Sequence, residues 1–169
     1  RDRVYINQEA RHGLWNYISA HFSMIDKVVG NNYTNEPMAF LLEDSEIQEE
    51  IEPYIMARIV DFEEFIRQYP FDIISIHDDL HFIIDDPIME CNCGDFSLRW
   101  DAAGDTILER GGTRGETVRC DIQTLTAMFY GYKRPTYLKR VERLQANDTA
   151  VRILEDIIPI EQPYFSDYF

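Results

Sequence analysis

The sequence predicts an α+β fold, and three observations predict it. Between residues 71 and 119, short runs rich in β-branched and aromatic residues alternate with turns bearing Asp, Gly and Pro. That is the spacing of an antiparallel sheet. Before and after this stretch, apolar residues recur at helical intervals. Helical and strand patterns fill separate blocks of chain rather than alternating, which is the α+β order. With 169 residues, 45% of them apolar, the chain is long enough to bury a core without disulfides or metals.

The elements follow in order. Val4, Tyr5 and Ile6 read as a short strand. Asn7 is the N-cap of the next helix, which places Leu14, Ile18, His21 and Phe22 on one face. Residues 24–29 are short and apolar and read as a strand, with Gly30-Asn31-Asn32 as the turn behind it. Pro37 opens a short helix carrying Met38, Phe40, Leu41 and Leu42. Residues 51–60 hold enough β-branched and aromatic residues to be a strand. Asp61 then caps a helix whose inner stripe is Phe62, Phe65 and Ile66, and Glu64 stands where a capping box needs it.

Five strands are expected next, at 71–76, 80–84, 96–100, 106–109 and 117–119. Asp121 caps a helix with Ile122, Leu125, Met128 and Phe129 inward and Gly131 at its end. Pro135 starts another, with Leu138, Val141 and Leu144 inward. Asn147-Asp148-Thr149 starts a third, with Val151, Leu154, Ile157 and Ile158 inward. Residues 160–169 have no period but hold four aromatics, Tyr164, Phe165, Tyr168 and Phe169. Tails fray unless tied down, and this density of rings suggests a docked one. The acidic stretch 43–52 is the expected boundary between two regions.

A net charge of −15 repels phosphate backbones and anionic membranes, which argues against nucleic acid and membrane partners. It suits a cationic substrate, and it equally suits a solvated acidic surface. Three cysteines make no disulfide framework and fit a reducing cytoplasm. No apolar run approaches the roughly 20 residues of a membrane span. The chain opens on Arg1, not Met, and Val4-Tyr5-Ile6 already looks like a strand, so a segment cut from a larger protein is expected, although a processed terminus would look the same.

Local chemistry is sparse. The pattern Q/R-x-x-G-x-G/A, whose backbone amides cradle a pyrophosphate, starts at no Gln or Arg. In Arg110-Gly111-Gly112-Thr113-Arg114-Gly115, Thr113 stands where a glycine must, and the stretch reads as a β-turn between strands. His77, Asp79 and His81 alternate as ligands on one strand face would, or they form a solvated turn. Cys91 and Cys93 lack a second pair to make a metal site. No G-x-S-x-G is present.

The C-terminal third carries a resemblance. Leu125-Thr126-Ala127-Met128-Phe129-Tyr130-Gly131-Tyr132-Lys133-Arg134-Pro135 resembles the L-x-x-L-Y/F-x-G-Y helix end of Eis-like (enhanced intracellular survival) GNAT-family N-acetyltransferases. In that family, as here, further helices, an apolar-Pro step (Ile158-Pro159) and an aromatic-acidic tail follow. Ala57-Arg58-Ile59-Val60-Asp61 resembles the family's W-x-R-I/L-V-D. Leu14-Trp15 and Pro37-Met38-Ala39-Phe40-Leu41-Leu42 resemble segments late in its middle domain. Cys91-Asn92-Cys93-Gly94 departs from the pattern, where Trp or Pro is expected near Asn-x-Gly.

This resemblance implies the end of a second GNAT-like region at 1–52 and a sterol-carrier-protein-like domain, an antiparallel sheet with segregated helices, at 53–169. It implies acetyl transfer from acetyl-CoA, a co-substrate of the full-length protein, to an amine such as an aminoglycoside or a lysine. The chain itself would hold no cofactor and would be inactive alone. Its partners would be the N-terminal GNAT domain of the same protein, the amine and further copies in a homo-oligomer. The family's general base, the C-terminal carboxylate, transfers to Phe169, and an aspartate near its substrate pocket transfers to Asp61, which an N-cap explains equally well. The family's acid, a tyrosine, lies outside this sequence. The alternative is a sterol-carrier-like module that binds an apolar ligand or drives assembly without catalysis.

Overall fold

The computed structural model describes residues 6–32, 38–42, 46–72, 78–163 and 165, without the side chains of Phe22 and Leu41. The chain divides into two compact units, Arg1–Glu52 and Pro53–Phe169.

In the first unit, helix α1 (Gln8–Ser19) begins where Asn7 accepts the Ala10 N–H at 2.8 Å. At its end His21 Nδ1 lies 2.8 Å from the Tyr17 carbonyl. No residue of α1 is buried, so the expected apolar face stands open, with Leu14 42% exposed. The strand expected at 24–29 does not form. Phe22–Met24 makes one 3-10 turn, and the residues after it find no described strand to pair with. A short helix α2 (Met38–Leu41) follows. Of the strand expected at 4–6, Val4 and Tyr5 lie outside the described residues.

The strand expected at 51–60, which straddles the boundary between the units, is also absent. Its last residues bond to side chains instead of a ladder: Ile59 N–H donates to Thr126 Oγ1 at 3.2 Å, and Val60 C=O accepts from Asn92 at 3.1 Å. Helix α3 (Phe62–Gln68) is capped by Asp61, which accepts the Glu64 N–H at 3.0 Å. The capping box is one-sided, because the Glu64 carboxylate turns to Arg67 and Gln68. Residues 71 and 72 form no strand, and 73–76 lie outside the described residues.

The sheet holds β1 (Leu80–Asp85), β2 (Gly94–Trp100), β3 (Thr106–Arg110), β4 (Glu116–Asp121) and β5 (Gln145–Ala146) in the order β3-β2-β1-β4-β5. β1 runs antiparallel to β2, with Phe82 opposite Phe96. It runs parallel to β4, with Phe82 opposite Val118, so the sheet is mixed where an antiparallel one was expected. The cause is the glycine-rich connection. β3 and β4 are not neighbours, so 111–115 is not a hairpin turn but a strap that crosses β2 and β1. The Ser97 hydroxyl on β2 donates to the Arg114 carbonyl at 2.6 Å. Gly115, at φ 108°, lies against the Asp79 backbone with no room for a Cβ.

Helices α4 (Ile122–Phe129), α5 (Pro135–Arg140) and α6 (Asp148–Ile157) complete the unit. Asp121 and Asn147 cap α4 and α6, accepting N–H groups at 2.7 and 2.8 Å. Leu80, Phe82 and Ile84 of β1, Phe96 and Leu98 of β2 and Val118 of β4 share one face of the sheet, and all are buried with Phe62, Ile66, Leu125, Met128 and Leu154 of the helices. Burying each such side chain contributes about 1.5–3 kcal/mol. Phe62 meets Phe82 and Phe96 edge-on at 5.8 and 5.0 Å. Val141, expected inward, is 42% exposed, because α5 stops at Arg140 and the chain turns through Glu142 at φ 60° to bury Leu144. Among the described residues, no helix is long and apolar enough to cross a membrane.

Candidate functional site

The predicted catalytic group, the carboxylate of Phe169, lies outside the described residues, but the chain up to residue 163, and residue 165, lie within them. At the end of α4, Gly131 adopts φ 72° and donates its N–H to the Met128 carbonyl at 3.0 Å. The backbone at Glu161 packs directly on Gly131, in the space where any other residue would carry its Cβ. Arg134 grips the same stretch. Its Nη1 donates to the carbonyls of Ile158 and Pro159 at 2.9 and 3.1 Å, and its Nη2 donates to that of Glu155 at 2.7 Å. Its Nε donates to the Glu155 carboxylate at 2.7 Å. A rigid guanidinium fork satisfies four acceptors at once, which a lysine could not do.

Glu155 also accepts the Thr136 N–H at 2.8 Å. Burial opposes the charge of its carboxyl, but the bonds from Thr136 and Arg134 outweigh burial and hold it below the usual range. Nearby, the Tyr69 hydroxyl donates to the Phe129 carbonyl at 2.8 Å, and burial pushes its pKa up to about 12. Residues 155–161 are thus bolted to the corner between α4 and α5. Beyond them the Phe165 ring lies 6.4 Å from that of Tyr54. Phe169 is four residues further on (169 − 165), a reach of at most about 14 Å.

Asp61 is exposed at the start of α3, and its described bond is the helix cap. Beside it lies a buried polar cluster that the sequence did not announce. Asp86 is buried, and Arg58 Nη2 donates to both of its carboxylate oxygens at 2.6 Å. Asn92 adds a bond at 2.8 Å, and the N–H groups of Ile88 and Met89 add bonds at 3.0 and 3.1 Å. Burial disfavours the charge, yet these bonds outweigh it and hold the Asp86 carboxyl well below the usual range. Asn92, 1% exposed, also accepts the Phe62 N–H at 2.9 Å. The Cys93 thiol exchanges bonds with the N–H and C=O of Asp86, both at 3.2 Å.

The cluster gives Ala57-Arg58-Ile59-Val60-Asp61 a physical meaning. Each residue from Arg58 to Asp61 fastens the approach to α3: an ion pair, a buried side chain, an accepted bond and a cap. The side-chain polar groups of Asp86 and Asn92 are all engaged, which is the arrangement of a structural cluster. The pair missing from the sequence reading is Arg58 with Asp86, 28 residues apart, which no local pattern marks.

Of the candidate ligand set, the two described members are engaged elsewhere. His77 lies outside the described residues, Asp79 pairs with Arg114 at 2.5 Å and His81 Nε2 lies 2.7 Å from Asp95. Among the described residues, no group of three or more His, Cys, Asp or Glu side chains could hold a metal ion.

Comparison with known proteins adds to this geometry. The sterol carrier protein domain matches residues 62–166, and the acetyltransferase (GNAT) domain matches residues 1–59. No curated protein matches the chain. Among solved structures, a conserved protein of unknown function from Enterococcus faecalis V583, described as a probable N-acyltransferase, is 28% identical with a TM-score of 0.77. The match covers 98% of this chain and 42% of that one. A GCN5-related N-acetyltransferase from Anabaena variabilis ATCC 29413 is 26% identical with a TM-score of 0.69, over 96% of this chain and 41% of that one. Eis1 from Mycobacterium abscessus, 18% identical with a TM-score of 0.68 over 99% of this chain and 42% of that one, shares the fold. The chain therefore spans about two fifths of the length of these solved structures. Since the sterol carrier match takes in more than half of its residues, the chain belongs to the sterol carrier protein domain family.

Proposed function

We propose that this chain is the C-terminal portion of an Eis-like, acetyl-CoA-dependent N-acetyltransferase, and that it supplies the α-carboxylate of Phe169 to an active site built mainly by a preceding GNAT domain. The observation that carries this reading is the anchoring of the tail. Gly131 and Arg134 fix the backbone up to Glu161, and Phe165 rests beside Tyr54 only four residues before the end. The GNAT match over residues 1–59 and the likeness to a probable N-acyltransferase support it.

The chemistry follows from charge. An amine substrate arrives as an ammonium and must lose a proton before it attacks a thioester. An α-carboxylate, with a reference pKa of about 3.3–3.7, is ionised at neutral pH. It holds the ammonium electrostatically, and it takes the proton directly or through one water once burial raises its basicity. The net charge of −15 draws cationic amines such as an aminoglycoside or a lysine, and Asp61 adds to that field from the start of α3. Acetyl-CoA is held by the preceding domain, since no phosphate-cradling pattern occurs here. The assembled protein is a cytoplasmic homo-oligomer in this reading. The alternative, an apolar-ligand carrier, fits less well, because the rings of Phe62, Phe82, Phe96 and Phe129 fill the space between sheet and helices.

The test is acetyl transfer by the full-length protein with Phe169 deleted and, separately, with one glycine added after it. Both changes move the carboxylate, and kcat is expected to fall about 100-fold or more with the KM for acetyl-CoA unchanged. An unaltered kcat in both would reject the role. The 169-residue chain alone should give no heat with acetyl-CoA in calorimetry.

A further inference from the structure

The tail meets the fold at two points. The first is the grip of Gly131 and Arg134 on residues 155–161. Residues 161–163 are exposed, and the next contact is at Phe165, whose ring lies 6.4 Å from that of Tyr54 at a tilt of 43°. Both rings belong to the unit Pro53–Phe169. Neither is part of the core, since Tyr54 is 55% exposed and Phe165 40%. A half-exposed ring pair is too weak to hold a unit together, but strong enough to bias where a chain end lies.

Tyr54 works from a firm base. Four residues on (58 − 54), Arg58 is paired with the buried Asp86. Ile59 beside it is 2% exposed and donates its N–H to Thr126. The tail therefore has one point of attachment that sets where it starts and a second that sets its direction. From Glu161, eight residues remain to Phe169 (169 − 161); from Phe165, four remain (169 − 165). The effective concentration of a tethered group falls roughly as the −3/2 power of tether length. Halving the free tether raises the local concentration of the terminal carboxylate about 3-fold, and more where the ring pair also fixes its heading.

We propose that Tyr54 is a positioning residue for the C-terminal carboxylate: its ring seats Phe165 and so shortens the free end that carries Phe169. Tyr54 itself touches no reacting atom. Its effect on rate rests on the catalytic role read above for that carboxylate, whereas the seat does not.

Acetyl transfer by the full-length protein tests the positioning. Tyr54→Ala and Phe165→Ala should each lower kcat about 3–10-fold, with the KM for acetyl-CoA and the melting temperature unchanged. The double variant should be no slower than either single one, because both remove the same contact. Tyr54→Phe keeps the ring and should keep the parental kcat. In the 169-residue chain, chymotrypsin should cut after Phe165 about 3-fold faster or more in Tyr54→Ala than in the parent. An unaltered kcat in Tyr54→Ala would overturn the proposal, as would a Tyr54→Phe as slow as Tyr54→Ala or an additive double variant. A melting temperature that falls together with kcat would mean a merely structural role and would overturn it too. The two readings fail separately. If deleting Phe169 leaves kcat unaltered, the catalytic reading falls and cleavage after Phe165 still decides whether the seat exists. If that deletion lowers kcat while Tyr54→Ala changes neither kcat nor cleavage, this inference alone falls.

Discussion

Gly131 and Glu161 are in direct backbone contact, with the carbonyl of Glu161 filling the space where a side chain at position 131 would begin. The end of one helix and the start of the tail are thus fitted to each other through the smallest residue available.

Gly131→Ala meets two obstacles. The backbone sits at φ 72°, which costs an L-residue about 1–2 kcal/mol, and the new methyl would drive into the Glu161 carbonyl. The chain should lose about 2–3 kcal/mol of stability in urea unfolding, or roughly 2–4 °C per kcal/mol in a melt. An unchanged midpoint would show that the tail does not rest there.

Arg134→Ala releases the carbonyls of Glu155, Ile158 and Pro159 and leaves the Glu155 carboxylate without its partner. The expected loss is about 2 kcal/mol, with new protease cleavage after residue 159. Arg134→Lys should recover little, because an ammonium cannot span the four acceptors. If lysine restores full resistance to cleavage, charge and not the fork holds the tail.

Asp86→Ala leaves Arg58, one N–H of the Asn92 amide and two backbone N–H groups without an acceptor, and should cost about 3–5 kcal/mol. The same carboxylate shapes the response to acid. Its pKa in the fold is lowered, so its contribution is complete above the ordinary carboxylate range near 4 and is lost as pH falls below that range toward the folded value. Urea midpoints at pH 7 and pH 3 should therefore differ less in Asp86→Asn than in the parent. An identical pH dependence in both would remove Asp86 from the account.

How much of this was legible depends on whether a feature is local. Caps are local, and Asn7, Asp61, Asp121 and Asn147 all cap the helices they precede. The inward faces of α4 and α6 and the strand composition of β1, β2 and β4 were readable for the same reason. Strand partners are not local. Residues 24–29 and 51–60 have strand composition and no described strand beside them, while β1 and β4 pair in parallel because the strap at 111–115 carries the chain across. β5 has two residues, too few to show a period. Within the site, Gly131 was legible as a helix terminator, but its fit to Glu161 was not, since 30 residues separate them (161 − 131). The acidic cap at 61 was visible, and the acid at 86 that secures the same junction was hidden in a turn.

The parallel neighbour of β1 also sets an assembly order. β1, β2 and β3 form a meander joined by the short links 86–93 and 101–105, so they can zip together from nearby chain. β4 has to wait, for its partner Leu80 lies 36 positions before Glu116 (116 − 80) and its route passes over strands already laid down. Loop closure on that scale is slow relative to hairpin formation. Pulse-labelled refolding should protect amides of β2 before those of β4, and simultaneous protection would refute the sequence of events. Until β4 arrives, one flank of β1 is an open edge, so the interval between those two steps is when a newly made chain is most exposed to sticking to its neighbours.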